Sequence, residues 1–220
     1  MTTTLTALAV AALTACTATT PTAPAPAPWE TMTRTQSPAS SWTAATRNGA
    51  WLYGDSISVA NAYLAARLVY ARTGRHVAVD ANSGVPTKPA IDRLAERVRQ
   101  RGAPPVVVMA TGANDAVDPA RARGMGSQIG RVRAIVGPRT RIVWVTALVA
   151  RPKHVKADAA GTAAVNTAIV HAANYRRVDQ VVHWHTALSR AGVSTHTRDG
   201  VHPVGKGSTL WAQTVAAAVR

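Results

Sequence analysis

The sequence predicts a three-layer α/β/α sandwich around a central parallel sheet of about five strands. Three observations predict it. From residue 47 onward, short apolar runs alternate with longer helical patterns, the order that builds βαβ units. One of the runs, Pro105 to Ala110 (P-V-V-V-M-A), is apolar without a break, as in a strand covered on both faces. And 220 residues, 47% of them apolar, are enough for one domain with a sizeable core.

Each element has its own signal. Ala50 to Tyr53 is a short apolar strand. Ser58 to Arg72 places Val59, Ala62, Tyr63, Ala66 and Val69 at helical spacing and stops at Gly74. His76 to Val79 is a second strand. Lys88 to Arg101 is an amphipathic helix with Ile91, Leu94, Ala95 and Val98 on one face. After the third strand, Pro119 to Val136 is helical, weakened by Gly124 and Gly126. Arg141 to Leu148 is a strand, Ala160 to Tyr175 a helix, Gln180 to Trp184 a strand and Gly205 to Val219 a final helix.

The first 46 residues have a different character. Residues 5–15 (L-T-A-L-A-V-A-A-L-T-A) form an uncharged apolar run, too short to span a bilayer and suited to the core of a signal peptide. It leads into Leu13-Thr14-Ala15-Cys16, which resembles the lipobox of bacterial lipoproteins. That resemblance implies lipidation of Cys16 and a signal peptide over residues 1–16. Cys16 is the only cysteine, so the chain has no internal disulfide. Residues 17–46 begin with alternating Pro and Ala, which disfavours helix and central strand alike. They are expected to form a disordered tether, with the folded domain at 47–220.

Charge narrows the partners. There are 25 Lys and Arg against 10 Asp and Glu, a net charge of +15. Such a surface favours anionic surroundings. The basic residues are spread along the chain, and neither zinc-finger spacing nor an RNA-binding aromatic motif is present. The expectation is a monomer with a basic solvated surface and no nucleic-acid partner. No metal-ligand spacing and no glycine-rich phosphate loop occur, so no cofactor is expected.

In parallel sheets, active sites lie at the carboxyl ends of the strands. There the first strand runs into Gly54-Asp55-Ser56, and the second into Asp80-Ala81-Asn82-Ser83-Gly84. The third runs into Thr111-Gly112-Ala113-Asn114-Asp115, and the loop before the last helix reads Asp199-Gly200-Val201-His202-Pro203. Each residue has an ordinary explanation: Ser56 as a helix cap, Gly84 as a turn glycine, Asn114 and Asp199 as loop formers. Together, in this order on one sheet edge, they suit nucleophilic catalysis. A serine hydroxyl needs a base to take its proton. His202 is the candidate base, and Asp199 would fix its tautomer. The N–H of Ser56, the N–H of Gly84 and the side-chain amide of Asn114 are candidate oxyanion donors. The remaining histidines (76, 154, 171, 183, 185 and 196) lack an Asp three residues before them. His196, in the same loop as His202, is the alternative base. Asp55 and Asp115 are expected to bond backbone around their loops, and Trp144 and Trp184 to pack.

The four blocks resemble those of the SGNH, or GDSL-type, serine hydrolases, in the family's order and from Ser56 to His202. The closing V-V-H-W and D-G-V-H-P stretches are similar to short bacterial members. The resemblance implies a flavodoxin-like fold and an esterase or lipase working through an acyl-enzyme, without metal or cofactor. The substrates it implies are acetylated sugars, short-chain esters, thioesters or lysophospholipids. With the lipobox, it implies a secreted, lipid-anchored protein of the cell envelope. Two alternatives remain: an acyltransferase with the same triad, and a non-catalytic module binding anionic envelope polymer.

Overall fold

The protein is described by a computed structural model that covers residues 26–219. The apolar run, the lipobox-like end and Cys16 lie outside the described residues. Six strands form one sheet: β1 (Arg34–Gln36), β2 (Gly49–Gly54), β3 (His76–Asn82), β4 (Val106–Ala110), β5 (Arg141–Val145) and β6 (Gln180–Val182). Their order is β1-β3-β2-β4-β5-β6, parallel throughout except for the antiparallel edge strand β1.

Nine helices accompany them among the described residues. They are α1 (Ala39–Asn48), α2 (Ser56–Thr73), α3 (Thr87–Arg101), α4 (Ala113–Ala116), α5 (Pro119–Val136), α6 (Val155–Asn174), α7 (Trp184–Ala191), α8 (Val193–His196) and α9 (Lys206–Ala218). Helix α2 packs on α9, and α5 packs on both α3 and α6, giving the helix layers on either side of the sheet. Among the described residues no helix is long and apolar enough to cross a membrane.

Two apolar strands hold the centre. Trp51 and Tyr53 of β2 are buried, and Val107, Val108 and Met109 of β4 are fully covered. Trp42 of α1 meets Trp51 edge to face, with ring centroids 5.3 Å apart, and Arg97 of α3 lies 4.1 Å over the Trp42 ring. Trp144, Trp184 and Trp211 are also buried. With no phenylalanine in the chain, tryptophans supply the large side chains of the core.

The register sets up the site. Gly54 is level with Ala81 on β3 and with Ala110 on β4. Three strands therefore release their chains at one height along one edge. Strand β2 is flanked by β3 on one side and β4 on the other, so its end is the topological switch point of the sheet.

Several boundaries differ from the sequence expectation. The domain begins before residue 47. β1 and α1 belong to it, because Arg34 pairs with the buried Asp80 and because Trp42 and Ala45 enter the core. Within the tether expected over 17–46 the chain is thus folded from Pro28 on, and the sheet has six strands instead of about five. The strand expected to reach Leu148 ends at Val145. Beyond it, Ala147 exchanges both backbone bonds with the Asn166 amide, at 2.8 Å each, in place of a neighbouring strand. Helix α6 starts at Val155, five residues early, with its Asp158 held by Arg151. Trp184 opens α7 instead of closing β6, because Thr146 Oγ1 accepts the N–H of His185 and turns the chain.

Candidate active site

Two neighbouring residues divide the work at the start of α2. Asp55 is the N-cap, its carboxylate accepting the Ile57 N–H at 3.1 Å. Ser56 is the first helical residue, so its hydroxyl is not needed as a cap. Instead Ser56 Oγ lies 2.8 Å from His202 Nε2.

His202 comes from the far end of the chain on a tight loop. Thr197 bridges to Pro203, and the Arg198 N–H donates to the His202 carbonyl at 2.9 Å. Gly200 stands at φ 83° inside this loop, and a Cβ there would lie 2.1 Å from the Ala150 carbonyl oxygen. Only glycine lets the loop lie against the chain that leaves β5, where the Ala150 N–H donates to the Gly200 carbonyl at 3.0 Å. The turn lets Asp199 face two ways. Its Oδ2 is 2.7 Å from His202 Nδ1, while its Oδ1 accepts the N–H groups of His202 at 2.9 Å and Val201 at 3.1 Å. Burial works against its charge, but the His202 and Val201 amides and the imidazole outweigh it and hold the carboxyl below its ordinary range. An ionised Asp199 accepts from Nδ1–H and leaves Nε2 bare toward the serine.

The other candidate donors lie on the loops that follow β3 and β4. Gly84 follows β3 at φ 72°. Among the described residues no oxygen of the protein accepts the N–H of Ser56 or of Gly84. Asn114, in α4, gives one amide hydrogen to the Val85 carbonyl at 3.2 Å. An amide has two, so this bond orients the side chain and leaves a second donor. Asn114 is thereby fixed to the loop that carries Gly84.

Beneath this surface lies a buried polar layer. The Asp115 carboxylate accepts the N–H of Thr87 at 2.9 Å and its hydroxyl at 2.7 Å, and Thr87 Oγ1 bonds Thr111 Oγ1 at 3.0 Å. These bonds tie α3, β4 and α4 together under Gly84 and Asn114. Burial raises the pKa of Asp115 despite the Thr87 donors. Asp55 has no cation in contact. Burial pushes its pKa up to about 7; the Ile57 amide and the charge of His202 oppose the rise, and Asp115 adds to it.

The other sequence candidates fall elsewhere. His196 Nδ1 lies 3.0 Å from the Gly192 carbonyl and 2.9 Å from Thr195 Oγ1, while Ser56 pairs with His202. Trp144 and Trp184 are buried in the core. Cys16 is outside the described residues. Sequence reasoning did not bring Thr87 to the site, because it sits in none of the four blocks, and it gave Thr111, which opens the third block, no role. It also did not bring Trp29 and Met32 to Gly84. A methyl at Gly84 would meet Met32 Sδ at 2.7 Å and Trp29 Cβ at 3.6 Å.

The architecture has known counterparts. A lipolytic protein of the G-D-S-L family from Veillonella parvula is 14% identical, with a TM-score of 0.66 over 77% of this chain and 96% of that one. A catalytic mutant of an acetylxylan esterase from Geobacillus stearothermophilus is also 14% identical, with a TM-score of 0.64 over 78% and 94%. The C-terminal catalytic domain of peptidoglycan O-acetyltransferase A from Streptococcus pneumoniae is 17% identical, with a TM-score of 0.57 over 78% and 92%. No family model and no curated protein matches the sequence. The fold is that of the SGNH hydrolases.

Proposed function

We propose that the protein is a serine hydrolase that cleaves acyl or acetyl esters through an acyl-enzyme. The observation that carries this is the continuous chain Ser56 Oγ–His202 Nε2–Asp199, at 2.8 and 2.7 Å, on a strand-to-helix turn beside Gly84 and Asn114. His202 takes the serine proton as Oγ attacks the ester carbonyl. The oxygen that becomes negative is met by the N–H groups of Ser56 and Gly84 and by the Asn114 amide. His202 then gives its proton to the departing alcohol, leaving an acyl group on Ser56. A water molecule, deprotonated by the same imidazole, releases the acid and restores the serine.

The substrate class we favour is O-acylated glycan. Two of the structural counterparts are named for acetyl chemistry on a polysaccharide, xylan in one and peptidoglycan in the other. The second of these supports an acyltransferase as the second reading: a sugar hydroxyl in place of water at the final step uses the same triad. The Leu13-Thr14-Ala15-Cys16 stretch supports a lipid anchor on the outer face of a bacterial membrane, where such glycans lie. An intact serine, histidine and aspartate at bonding distance speaks against a binding-only module.

A panel of p-nitrophenyl esters of increasing chain length, with acetylated glycans, tests the reading. Turnover by the wild type and none by a folded Ser56→Ala variant is expected. Equal turnover by both would refute it. For the anchor, the wild type is expected in the membrane fraction and Cys16→Ser outside it; equal solubility and equal mass of the two would refute lipidation.

A further inference from the structure

We infer that the segment from Pro28 to Gln36, a 3-10 turn followed by β1, is a wall of the substrate site, with Met32 and Trp29 as its contact residues. The inference rests on the reading of Ser56 as nucleophile and names what binds beside it.

The segment is fixed to the sheet edge next to the oxyanion loop. β1 runs antiparallel to β3, with Arg34 opposite Asn82. The Ser83 N–H donates to the Thr33 carbonyl at 2.9 Å, one residue before Gly84. Arg34 forks onto the Asp80 carboxylate at 3.2 and 2.9 Å. On the other side, the Ser37 N–H donates to the Val79 carbonyl and Ser37 Oγ accepts the Val79 N–H, each at 2.9 Å. The chain just before β1 therefore has little choice of position. The turn over Pro28–Thr31, closed by the Met32 N–H donating to the Trp29 carbonyl at 3.3 Å, sets Trp29 and Met32 against Gly84.

Met32 has a large apolar side chain, yet it is 48% exposed. It leans on the glycine whose N–H faces the developing oxyanion, where a Cβ would meet its sulfur at 2.7 Å. Met32 thus adjoins the loop that carries this candidate donor. A half-covered thioether and an indole at the rim of a reactive centre offer a polarisable, water-shedding surface. Such a surface fits a C–H-rich face of the ester's non-reacting body, either an alkyl chain or the flat side of a sugar ring. It does not touch the bonds that change, so it acts on binding and not on the chemical step.

The test uses the full chain with Met32→Ala, Trp29→Ala and Arg34→Gln. Arg34→Gln keeps both contact side chains and loosens the strand that holds them. Three substrates are compared: p-nitrophenyl acetate, p-nitrophenyl octanoate and acetylated xylo-oligosaccharides. The acetate should be turned over within about twofold of wild type, while at least one extended substrate loses roughly fivefold or more in kcat/KM, carried by KM. Loss on the octanoate alone assigns the wall to acyl chains, and loss on the oligosaccharide alone assigns it to sugar rings. Unchanged values on both extended substrates, with acetate turnover intact, overturn the inference and leave the nucleophile standing. A wild type that turns over no ester and reacts with no serine-directed probe overturns both.

Discussion

Asp55 and Asp80 are both buried, on or just beyond neighbouring strands, and they are held in opposite ways. Asp80 on β3 sits opposite Tyr53 and faces three guanidinium groups: Arg34 at 2.9 Å, Arg93 at 3.3 Å and Arg97 at 3.7 Å. Asp55, two residues after Tyr53, meets only backbone amides, and the charge of His202 opposes the rise of its pKa. One carboxylate is locked by charges into a clamp that joins α3, β3 and the N-terminal strand. The other, beside the nucleophile, has no guanidinium in contact, and burial pushes its pKa up to about 7. A buried carboxylate with matched partners ties its neighbours together; one left without a cation in contact is pushed by burial toward its neutral form.

The largest expected effect belongs to a third aspartate, which combines both features. Asp199 has a side-chain partner like Asp80 and adjoins the chemistry like Asp55. Asp199→Asn should lower kcat by roughly 10,000-fold, because the imidazole loses its tautomer. In a Ser56→Ala background the same change should cost almost nothing more, since these residues act as a unit. Steady-state kinetics of the single and double variants checks this. An equal loss in both backgrounds would remove Asp199 from the triad.

Next comes the clamp. Asp80→Ala leaves its arginines without their carboxylate and should destabilise the fold by about 3 to 5 kcal/mol, read from urea denaturation. A change below about 1 kcal/mol would mean that the cluster is solvated, as exposed ion pairs are.

Asn114→Ala tests the proposed side-chain oxyanion donor. It should lower kcat by about 100-fold or more with KM nearly constant, because its free amide hydrogen meets charge that arises only after attack. A rise in KM at constant kcat would make Asn114 a binding residue instead.

A further effect is the titration of Asp55. The folded protein holds this proton up to about pH 7, whereas an unfolded Asp releases it near pH 4. Between those values the native state binds more protons than the unfolded state. The contribution of Asp55 to stability is therefore full below about pH 4 and is lost as pH rises through 7, at no more than about 1.4 kcal/mol per pH unit. Asp55→Asn keeps a cap and should flatten this slope. Parallel stability–pH curves for the two proteins would contradict the assignment.

These contrasts also mark what the sequence can say. β2 and β4 were legible because buried central strands are written in unbroken apolar residues, and the four loops because each carries a block in a known order. β1 was not. It is Arg-Thr-Gln, three polar residues after a Pro/Ala-rich stretch, and its reason for being a strand is Asp80, 46 residues away. Helix α7 was hidden because V-V-H-W reads as one apolar run, while the bend at His183 depends on Thr146 across the sheet. In the site, Ser56, Asp199, His202, Gly84 and Asn114 were all visible as residue types. The division of labour between Asp55 and Ser56 was not, since either is a good cap. The contact of Met32 with Gly84 was invisible for the same reason as β1: it exists only once the edge strand is in place.

The central claim is that His202 and Asp199 make Ser56 a nucleophile. A fluorophosphonate tests it most directly. Ser56 Oγ attacks phosphorus, a P–O bond forms, fluoride leaves, and His202 takes the serine proton. Intact-mass and peptide mass spectrometry should find one adduct, on Ser56, and none in Ser56→Ala; His202→Ala should label far more slowly. A folded wild type that stays unlabelled, or that carries the adduct on another residue, would contradict the account.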